Sequence, residues 1–505
     1  MPNTSQLQRF IILPARGMQN SASPTGNPEV TDFLVRASSH QAGRLNVNAV
    51  RRSFDATKDK KPQLKIKVLD SIHEDGAKLV EMNVEDMSKL RLSQPGIRII
   101  PEVFYDLQRI PRMQVSKKAS TLARTAQVAS GVTITIKDMN NNPLKGVTVV
   151  AFTDFEAREG AGGKTKTNGE ISLTITKKTI ERLYIYPDHS FWPYLYKAIK
   201  VTKNKINYVL DEVNPAYKDC LKHFFGTLSS LGNTVIKVGV IDTGVGPHNN
   251  LQLIGGACTV LNEPVQEFND YDGHGTHVAG IIGGSAPMKG VAPGVQILSY
   301  RVFPKSGGGA SNYDIMNAVD KAIADGCHLI NMSLGSQGGY DEGLSSSIKD
   351  AYYKGVLCFV ATGNDGRLPV SYPANHPLAI AVSAFGRKGT FPPKTEPNGS
   401  IKAPYGSDKK NFIADFSNIG KEVDLTGPGV GIVSCYPNDR YAVMSGTSMA
   451  CPAVCGVMAN LLTNNPQIAN LGADQARTDA FISLLAKNTK SLGFSAKFEG
   501  SGMPR

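Results

Sequence analysis

The feature that most constrains the fold is an alternation of apolar runs and helical patterns over residues 213–505. Runs such as "VIKVGVID", "CHLINMSLG" and "GVLCFVATGN" alternate with "SNYDIMNAVDKAIADG" and "LSSSIKDAYYKG". Continuous apolar strands are typical of a parallel sheet that helices cover on both faces. The pattern therefore predicts an α/β fold with a doubly wound parallel sheet, whose functional residues follow the carboxyl ends of the strands.

Polar residues follow these predicted strands in an order that suggests acyl-transfer chemistry. Asp242 ends "VGVID", Ser333 lies in "INMSLG" and Asn364 follows "VAT". His274 precedes a helix of small residues, and Ser448 begins the helical pattern of "SGTSMACPAVCGVMA". A carboxylate, an imidazole, a hydroxyl and an amide donor are the parts of such a site.

Each of these residues also has a purely structural interpretation. Ser448 could cap a buried helix, Asp242 could cap a turn, and Asn364 could be a turn residue with positive φ. His277, one helical turn after His274, is predicted to be structural. The co-occurrence of all four groups in one chain order carries the functional interpretation.

The motifs in residues 213–505 resemble those of subtilisin-type serine peptidases. "VIDTGV", "GHGTHVAGIIGG", "GVAPGVQI", "NMSLG", "ATGN" and "SGTSMACPAVCGVMA" stand in the family's order. The resemblance implies that Ser448 is the nucleophile, His274 the general base and then acid, and Asp242 the residue that orients His274. It also implies an oxyanion hole formed by Asn364 and the Ser448 backbone N–H.

The same resemblance implies where a peptide substrate binds. It would lie extended between 306–310 ("SGGGA") and 333–335 ("SLG"), where glycines allow close backbone approach. Residues 333–335 and 361–363 would wall the pocket for the residue before the scissile bond, with Ser371 near its base. The expected substrate-binding residues are Gly307, Gly308, Gly309, Ser333, Leu334, Gly335, Gly363 and Ser371.

Residues 1–128 are predicted to be a small α+β unit followed by a linker. Strand-like "RFIILPA", "LKIKVLD" and "GIRIIPEV" flank the helical pattern of "VEDMSKLRLSQPG". The unit resembles the family's inhibitory propeptide, which assists folding and sends its tail into the cleft. We therefore expect a self-processing zymogen, cut between about residues 104 and 118, with this segment as an intramolecular inhibitor.

Residues 129–212 are predicted to be a β-sandwich, because alternating strands such as "GVTITIK" and "GEISLTI" follow one another without helical patterns. The unit resembles carboxypeptidase regulatory-like and prealbumin-like modules at the level of the fold. Residues 213–505 would then be the catalytic domain, and 386–411, rich in Lys, Pro and Gly, an insertion in it.

Charge and composition narrow the partners. The net charge is +12, and residues 1–230 carry 34 Lys and Arg against 22 Asp and Glu, whereas the charges of the remainder cancel. No arginine-rich or aromatic-interleaved basic motif accompanies this surplus, so nucleic acid is not an expected partner. No apolar run reaches the length of a membrane span.

No cofactor or metal is expected. The segment after the His274 helix, "GSAPMK", lacks the longer loop that forms a calcium site in many secreted relatives, which leaves calcium binding in doubt. The seven cysteines look like buried free thiols. Together with the absence of a secretory pattern in "MPNTSQLQRFIILPARG", they favour a cytoplasmic location; the alternative is an extracellular one reached by a non-classical route.

The sequence thus predicts a serine endopeptidase that acts on polypeptides. Two alternatives stay open. A transpeptidase would use the same residues but let an amine outcompete water at the acyl-enzyme, and a peptide-binding interaction protein would use the cleft without turnover.

Overall fold

The computed structural model describes residues 6–19, 28–38, 64–116, 130–228 and 234–505. The boundary predicted at residues 128 and 129 lies outside these ranges. Within them, the α/β fold expected from the sequence is confirmed, and smaller sheets precede it along the chain.

The first unit is a four-stranded antiparallel sheet in the order β2-β3-β1-β4, with two helices. Its elements are β1 (Gln8–Pro14), α1 (Pro28–Ser38), β2 (Lys67–Ser71), β3 (Lys78–Met82), α2 (Val84–Ser93) and β4 (Ile97–Pro101). Asn83 caps α2 by accepting a hydrogen bond from the Asp86 backbone N–H at 2.7 Å. The pattern of "VEDMSKLRLSQPG" predicts α2, whereas α1 is not predicted from the sequence.

The sheet of this unit is buried on both faces, because alternate residues of a strand point to opposite sides. Phe10 and Ile12 of β1 join the cluster under the unit's own helices. Ile11 and Leu13 join a second cluster that includes Tyr313 and a methionine of the next large domain. The outer face of the sheet is therefore an interface with that domain, although the sequence alone shows only a hydrophobic strand.

Residues 130–209 form the predicted β-sandwich. Its seven strands are β6 (Ser130–Lys137), β7 (Thr148–Asp154), β8 (Glu159–Lys164), β9 (Glu170–Ile175), β10 (Thr179–Tyr186), β11 (Tyr194–Lys200) and β12 (Lys205–Val209). One sheet has the order β11-β10-β7-β8 and the other β12-β6-β9. Their facing apolar residues belong to a hydrophobic cluster that continues into the large α/β domain and includes Trp192 and Phe225.

The large sheet has eight strands, and its main path is β14-β15-β13-β17-β19-β20-β21, with β22 paired to β20. All its pairs are parallel except β20 with β21. Strand β5 (Phe104–Leu107) precedes the sandwich along the chain. The strands from residue 213 onward are β13 (Lys237–Asp242), β14 (Leu253–Cys258), β15 (Gln296–Arg301), β16 (Ala310–Ser311), β17 (Leu329–Met332), β18 (Leu334–Gly335), β19 (Leu357–Ala361), β20 (Ala379–Arg387), β21 (Asn411–Ile413), β22 (Leu425–Pro428), β23 (Ile432–Tyr436), β24 (Arg440–Met444), β25 (Thr489–Lys490) and β26 (Met503–Pro504).

Helices cover this sheet, and two of them carry the site. They are α3 (Cys220–Phe225), α4 (His274–Gly283), α5 (Asn312–Ala324), α6 (Glu342–Tyr353), α7 (Thr447–Asn464), α8 (Pro466–Ala469), α9 (Gln475–Lys487) and α10 (Ala496–Glu499). A Cβ added to Gly456 of α7 would lie 2.8 Å from the Cβ of Val291, so small residues are what allow α7 to lie deep in the domain.

The predicted insertion at 386–411 packs against the sandwich. Thr395 pairs with Tyr194, and the Leu195 backbone N–H donates to the Lys394 carbonyl at 2.9 Å. The Glu396 N–H donates to the Pro193 carbonyl at 2.8 Å. These contacts connect the predicted insertion to the sandwich, which its composition did not indicate.

All seven cysteines are buried and free, as predicted. In the part of the chain that the structure describes, no helix is long and apolar enough to cross a bilayer.

Candidate active site

Asp242 and His274 meet where β13 ends and α4 begins. His274 Nδ1 donates to Asp242 Oδ1 at 2.8 Å, and both side chains are buried. The same carboxylate oxygen accepts the Thr243 backbone N–H at 2.7 Å. With the proton on Nδ1, the other ring nitrogen is free to accept one.

The loop before His274 is built around a buried carboxylate, Asp270, that was not predicted from the sequence. Asp270 accepts hydrogen bonds from the backbone N–H groups of Asp272, Gly273 and Thr276 and from two threonine hydroxyls. Burial raises the pKa of Asp270 to about 6, against these hydrogen bonds, which lower it. An Asp four residues before His274 in "DYDGH" is the signal that could have identified it.

Ser448 is the second residue of α7, as its position before the small-residue pattern predicted. Its hydroxyl contacts the carbonyl oxygen of Gln108, and it lies 3.3 Å from the Ser333 carbonyl oxygen. His274 Nε2 has no hydrogen-bond partner among the described residues. The serine hydroxyl is therefore turned towards a peptide carbonyl rather than towards His274.

Asn364 holds the other side of the Gln108 carbonyl. Its Oδ1 accepts from the Thr447 backbone N–H at 2.9 Å and from the Thr447 hydroxyl at 3.0 Å. These two bonds fix the amide so that Nδ2 donates to the Gln108 carbonyl oxygen. The second expected donor is the Ser448 backbone N–H. In the described structure it does not donate a hydrogen bond to the Gln108 carbonyl oxygen.

The residues before Gln108 lie in the cleft as a strand. Strand β5 pairs antiparallel with β16 on one side and with β18 on the other. Leu334 and Gly335 pair with it, and the Gln108 N–H donates to the Ser333 carbonyl at 3.1 Å.

On the opposite side, β5 pairs with Ala310 and Ser311, so the pairing includes the last residue of the predicted segment 306–310. The contacts predicted between the glycines of this segment and a peptide substrate stay predictions. Gly307 and Gly308 have φ of 85° and 109°, which form a turn rather than an extended strand. Gly309 does approach the peptide, since a Cβ there would lie 3.0 Å from the Tyr105 carbonyl oxygen.

Gly335 of the predicted pocket lies against the Gln108 side chain. A Cβ added to Gly335 would lie 2.8 Å from Gln108 Nε2 and 2.9 Å from Ser371 Oγ, and one added to Gly363 would lie 3.0 Å from the same Ser371 oxygen. Ser371 Oγ donates to the Thr362 carbonyl at 3.0 Å. Gly335 and Gly363 therefore both lie close to Ser371, and Gly335 also contacts Gln108, which the sequence could not name.

His277 has a structural position. It is fully buried, and its Nε2 lies 3.1 Å from the Ile432 carbonyl oxygen and 3.2 Å from that of Ala442. Since carbonyls only accept, Nε2 carries a proton. Burial, with a smaller contribution from His274, lowers the pKa of His277 to about 3.

Among the described residues, no group of three or more His, Cys, Asp and Glu side chains is arranged to hold a metal ion.

Comparison with known proteins adds an independent result. The sequence model described as "Subtilase family" matches residues 233–498. Subtilisin Savinase of Lederbergia lenta is 35% identical over 271 residues, which are 53% of this chain and 88% of that protein. The thermostable alkaline protease of Halalkalibacterium halodurans is 35% identical over 237 residues, 46% of this chain and 58% of that protein.

A further relative, the minor extracellular protease Epr of Bacillus subtilis, is 34% identical over 271 residues, 53% of this chain and 37% of that protein. The match therefore spans most of subtilisin Savinase but less than two thirds of the other two.

We predict that His277 makes stability sensitive to acid. The unfolded chain binds a proton at this residue below a pKa of about 6.5, whereas the folded chain does so only near pH 3. Stability from this group is complete above pH 6.5 and is lost as the pH falls towards 3, by up to about 1.4 kcal/mol per pH unit. Urea unfolding between pH 7 and 4 measures this slope, which His277→Gln should reduce. An unchanged slope in that variant would contradict the assignment.

Proposed function

Because the chain belongs to the subtilase family, we propose that it is a serine endopeptidase whose first substrate is its own Gln108–Arg109 peptide bond. One observation carries this proposal: the Gln108 carbonyl oxygen lies in contact with both Ser448 Oγ and Asn364 Nδ2. A nucleophile and an oxyanion donor that meet at one carbonyl are what acyl transfer requires.

In the proposed reaction the Ser448 hydroxyl first turns from the Gln108 carbonyl oxygen towards His274 Nε2, which has no hydrogen-bond partner among the described residues. His274 Nε2 then removes the hydroxyl proton as the Ser448 oxygen attacks the Gln108 carbonyl carbon, and Asp242 stabilises the resulting imidazolium. Asn364 donates to the tetrahedral oxyanion. Collapse of the intermediate breaks the Gln108–Arg109 bond, and His274 returns the proton to the leaving amine. Water then releases the acyl group by the reverse sequence, so the chemistry uses side chains of this chain alone.

The first unit acts as an inhibitor by occupying the cleft. Its tail pairs with both cleft strands, and its sheet packs on α5 and α6 through Ile100, Tyr313 and Met316. Arg98 donates to Ser346 at 2.9 Å and to Glu342 at 3.2 Å. A tail tethered beside the active site has an effective concentration near the millimolar range, so the first cut is intramolecular. These contacts do not involve the scissile bond and hold the unit in place afterwards.

The sandwich remains with the catalytic domain after the cut. Its core is continuous with that of the catalytic domain, where Trp192 packs 5.0 Å from the Tyr217 ring. The Ser190 N–H also donates to the Tyr441 carbonyl at 2.8 Å. The processed enzyme therefore begins with Arg109.

Polypeptides are the substrates, as the names of the related proteases suggest. The name of the Bacillus subtilis relative also supports an extracellular site of action. The cytoplasmic location expected from the cysteines stays a prediction, and so does the doubt about calcium.

We predict that Ser448→Ala stays at its full mass of 54.1 kDa and hydrolyses no peptide, because loss of the nucleophile costs turnover by orders of magnitude. Intact mass and a peptidase assay measure both. Ser445→Ala, which removes a hydroxyl three residues earlier, is the control and should process normally. Retention of more than about a hundredth of wild-type turnover in Ser448→Ala would contradict the proposal, and an inactive wild type would favour a peptide-binding protein.

The interface between the first unit and the catalytic domain contains an acidic cluster. Asp314 of α5 is buried, and this burial, together with the charges of Glu102 and Asp70 from the first unit, raises its pKa to about 8. Arg9 opposes this shift and lies 3.6 Å from Glu102. Once the first unit leaves, Asp314 loses these neighbours and becomes a stronger acid.

We therefore predict that the cut first unit binds more weakly as the pH rises. Binding of the first unit is coupled to protonation of Asp314. The affinity of the catalytic domain for the first unit therefore decreases as the pH rises from the usual range of carboxylate pKa values to about 8. Above pH 8 the affinity is lowest. Gel filtration of processed protein at pH 6 and pH 9 measures release. Asp314→Asn, neutral at both values, should bind equally at both; a variant that keeps the wild-type pH dependence would show that Asp314 is not its source.

A further inference from the structure

The chain beyond the scissile bond lies against the sandwich rather than in solvent. Arg112 Nη1 donates to Asp188 Oδ1 at 2.7 Å, and its Nη2 donates to the Pro187 carbonyl at 3.3 Å. The same guanidinium lies 5.6 Å from the centre of the Tyr186 ring. Arg112 is the fourth residue after Gln108, so this contact is made by the leaving-group side of the substrate.

The next residues continue across one sheet of the sandwich. The Met113 N–H donates to the Tyr186 hydroxyl at 3.4 Å, and the Met113 side chain packs on an apolar cluster of β7, β10 and β11 that includes Phe152 and Tyr184. The Ser116 N–H donates to the Arg158 carbonyl at 3.0 Å. This sheet face thus takes up a continuous peptide segment.

An open cavity of about 480 Å³ lies beside this segment. The substrate segment from Arg109 to Arg112 forms one wall of it. The remaining lining comes from both domains and includes Tyr186, Asp188, Asp272, Tyr436 and Met449.

Both domains place a carboxylate along this segment. Asp272 accepts from Arg109 Nη2 at 2.6 Å. Burial raises the pKa of Asp272, but the charge and the hydrogen bond of Arg109 lower it by a larger amount. The pKa of Asp272 therefore lies below its usual value. A carboxylate therefore lies beside the first and beside the fourth residue after the scissile bond, which are Arg109 and Arg112.

The sandwich is held rigidly enough to form part of a cleft. His189, next to Asp188, has its Nε2 2.6 Å from Arg440 Nη1, and its ring lies 5.3 Å from that of Tyr436. Arg440 and Tyr436 belong to the hairpin of β23 and β24, which lies directly before the Ser448 helix. Asp188 is therefore fixed relative to the nucleophile.

We propose that the sandwich forms the leaving-group half of the substrate cleft, and that Asp188 selects peptides with a basic side chain at the fourth residue after the scissile bond. The inference rests on the proposed endopeptidase function and specifies its substrate class. Arg112 of the chain itself is the first occupant, and after processing the tethered 109–116 segment competes with incoming substrate for the same site.

The test uses processed full-length enzyme and internally quenched peptides with the sequence of residues 104–113, carrying Arg, Ala or Glu at the position of Arg112. Wild type should cleave the Arg peptide with about threefold higher kcat/KM than the Ala peptide, the size expected of a partly exposed ion pair. The Glu peptide should be the poorest substrate.

Two variants break the same ion pair but should differ. Asp188→Asn should bring the Arg/Ala ratio close to one, whereas Arg112→Ala should keep the ratio and raise kcat/KM for both peptides, because it weakens the tethered competitor. Glu170→Gln, which removes a sandwich carboxylate paired 2.5 Å from Lys205 on the other sheet, is the control and should leave the ratio unchanged.

A wild-type ratio near one, or an equal loss of the ratio in Asp188→Asn and Arg112→Ala, would overturn the inference while leaving the endopeptidase proposal intact. A wild type that cleaves none of the peptides would overturn both.

Discussion

The contact of the Gln108 carbonyl oxygen with Ser448 and Asn364 is the constraint on which the rest of the structure depends. A carbonyl can lie there only if the residues before it run along both cleft strands and the residues after it leave on the far side. The first unit is therefore packed on α5 and α6, where its last strand leads into the cleft. The sandwich stands on the opposite side, where the chain emerges.

The site is held by buried polar groups, which are costly unless they are paired. Asp270 shows how this is managed, since several backbone N–H groups and two hydroxyls converge on one carboxylate and fix the loop that carries His274. Asn364 is held in the same manner by Thr447. Donors fixed in advance need no reorganisation when negative charge develops on the substrate oxygen.

Much of the fold and the central residues could be predicted from the sequence. Continuous apolar strands fix a parallel sheet, and the polar residues that end them fix Asp242 and Asn364, because strand ends in such a sheet share one edge. The start of the small-residue helix fixed Ser448. The sandwich followed from period-two alternation without helical patterns.

The parts that were missed depend on contacts between distant segments. The cleft pairing begins at Ala310, after a turn at Gly307 and Gly308 that composition alone does not reveal. Helix α1 was not predicted because it begins where a polar stretch of the sequence ends. The proposed cut could be predicted only to a range, because the sequence does not show the register of β5 on β18 that places Gln108 at Ser448.

The most direct test of this account is the N-terminal sequence of the processed wild-type chain, measured together with the mass of the released fragment. The account predicts a new N-terminus at Arg109, since the carbonyl of the preceding residue lies at the nucleophile. A start beyond about residue 200 would show that the sandwich is removed with the first unit. Such a result would contradict the claim that the sandwich belongs to the working enzyme.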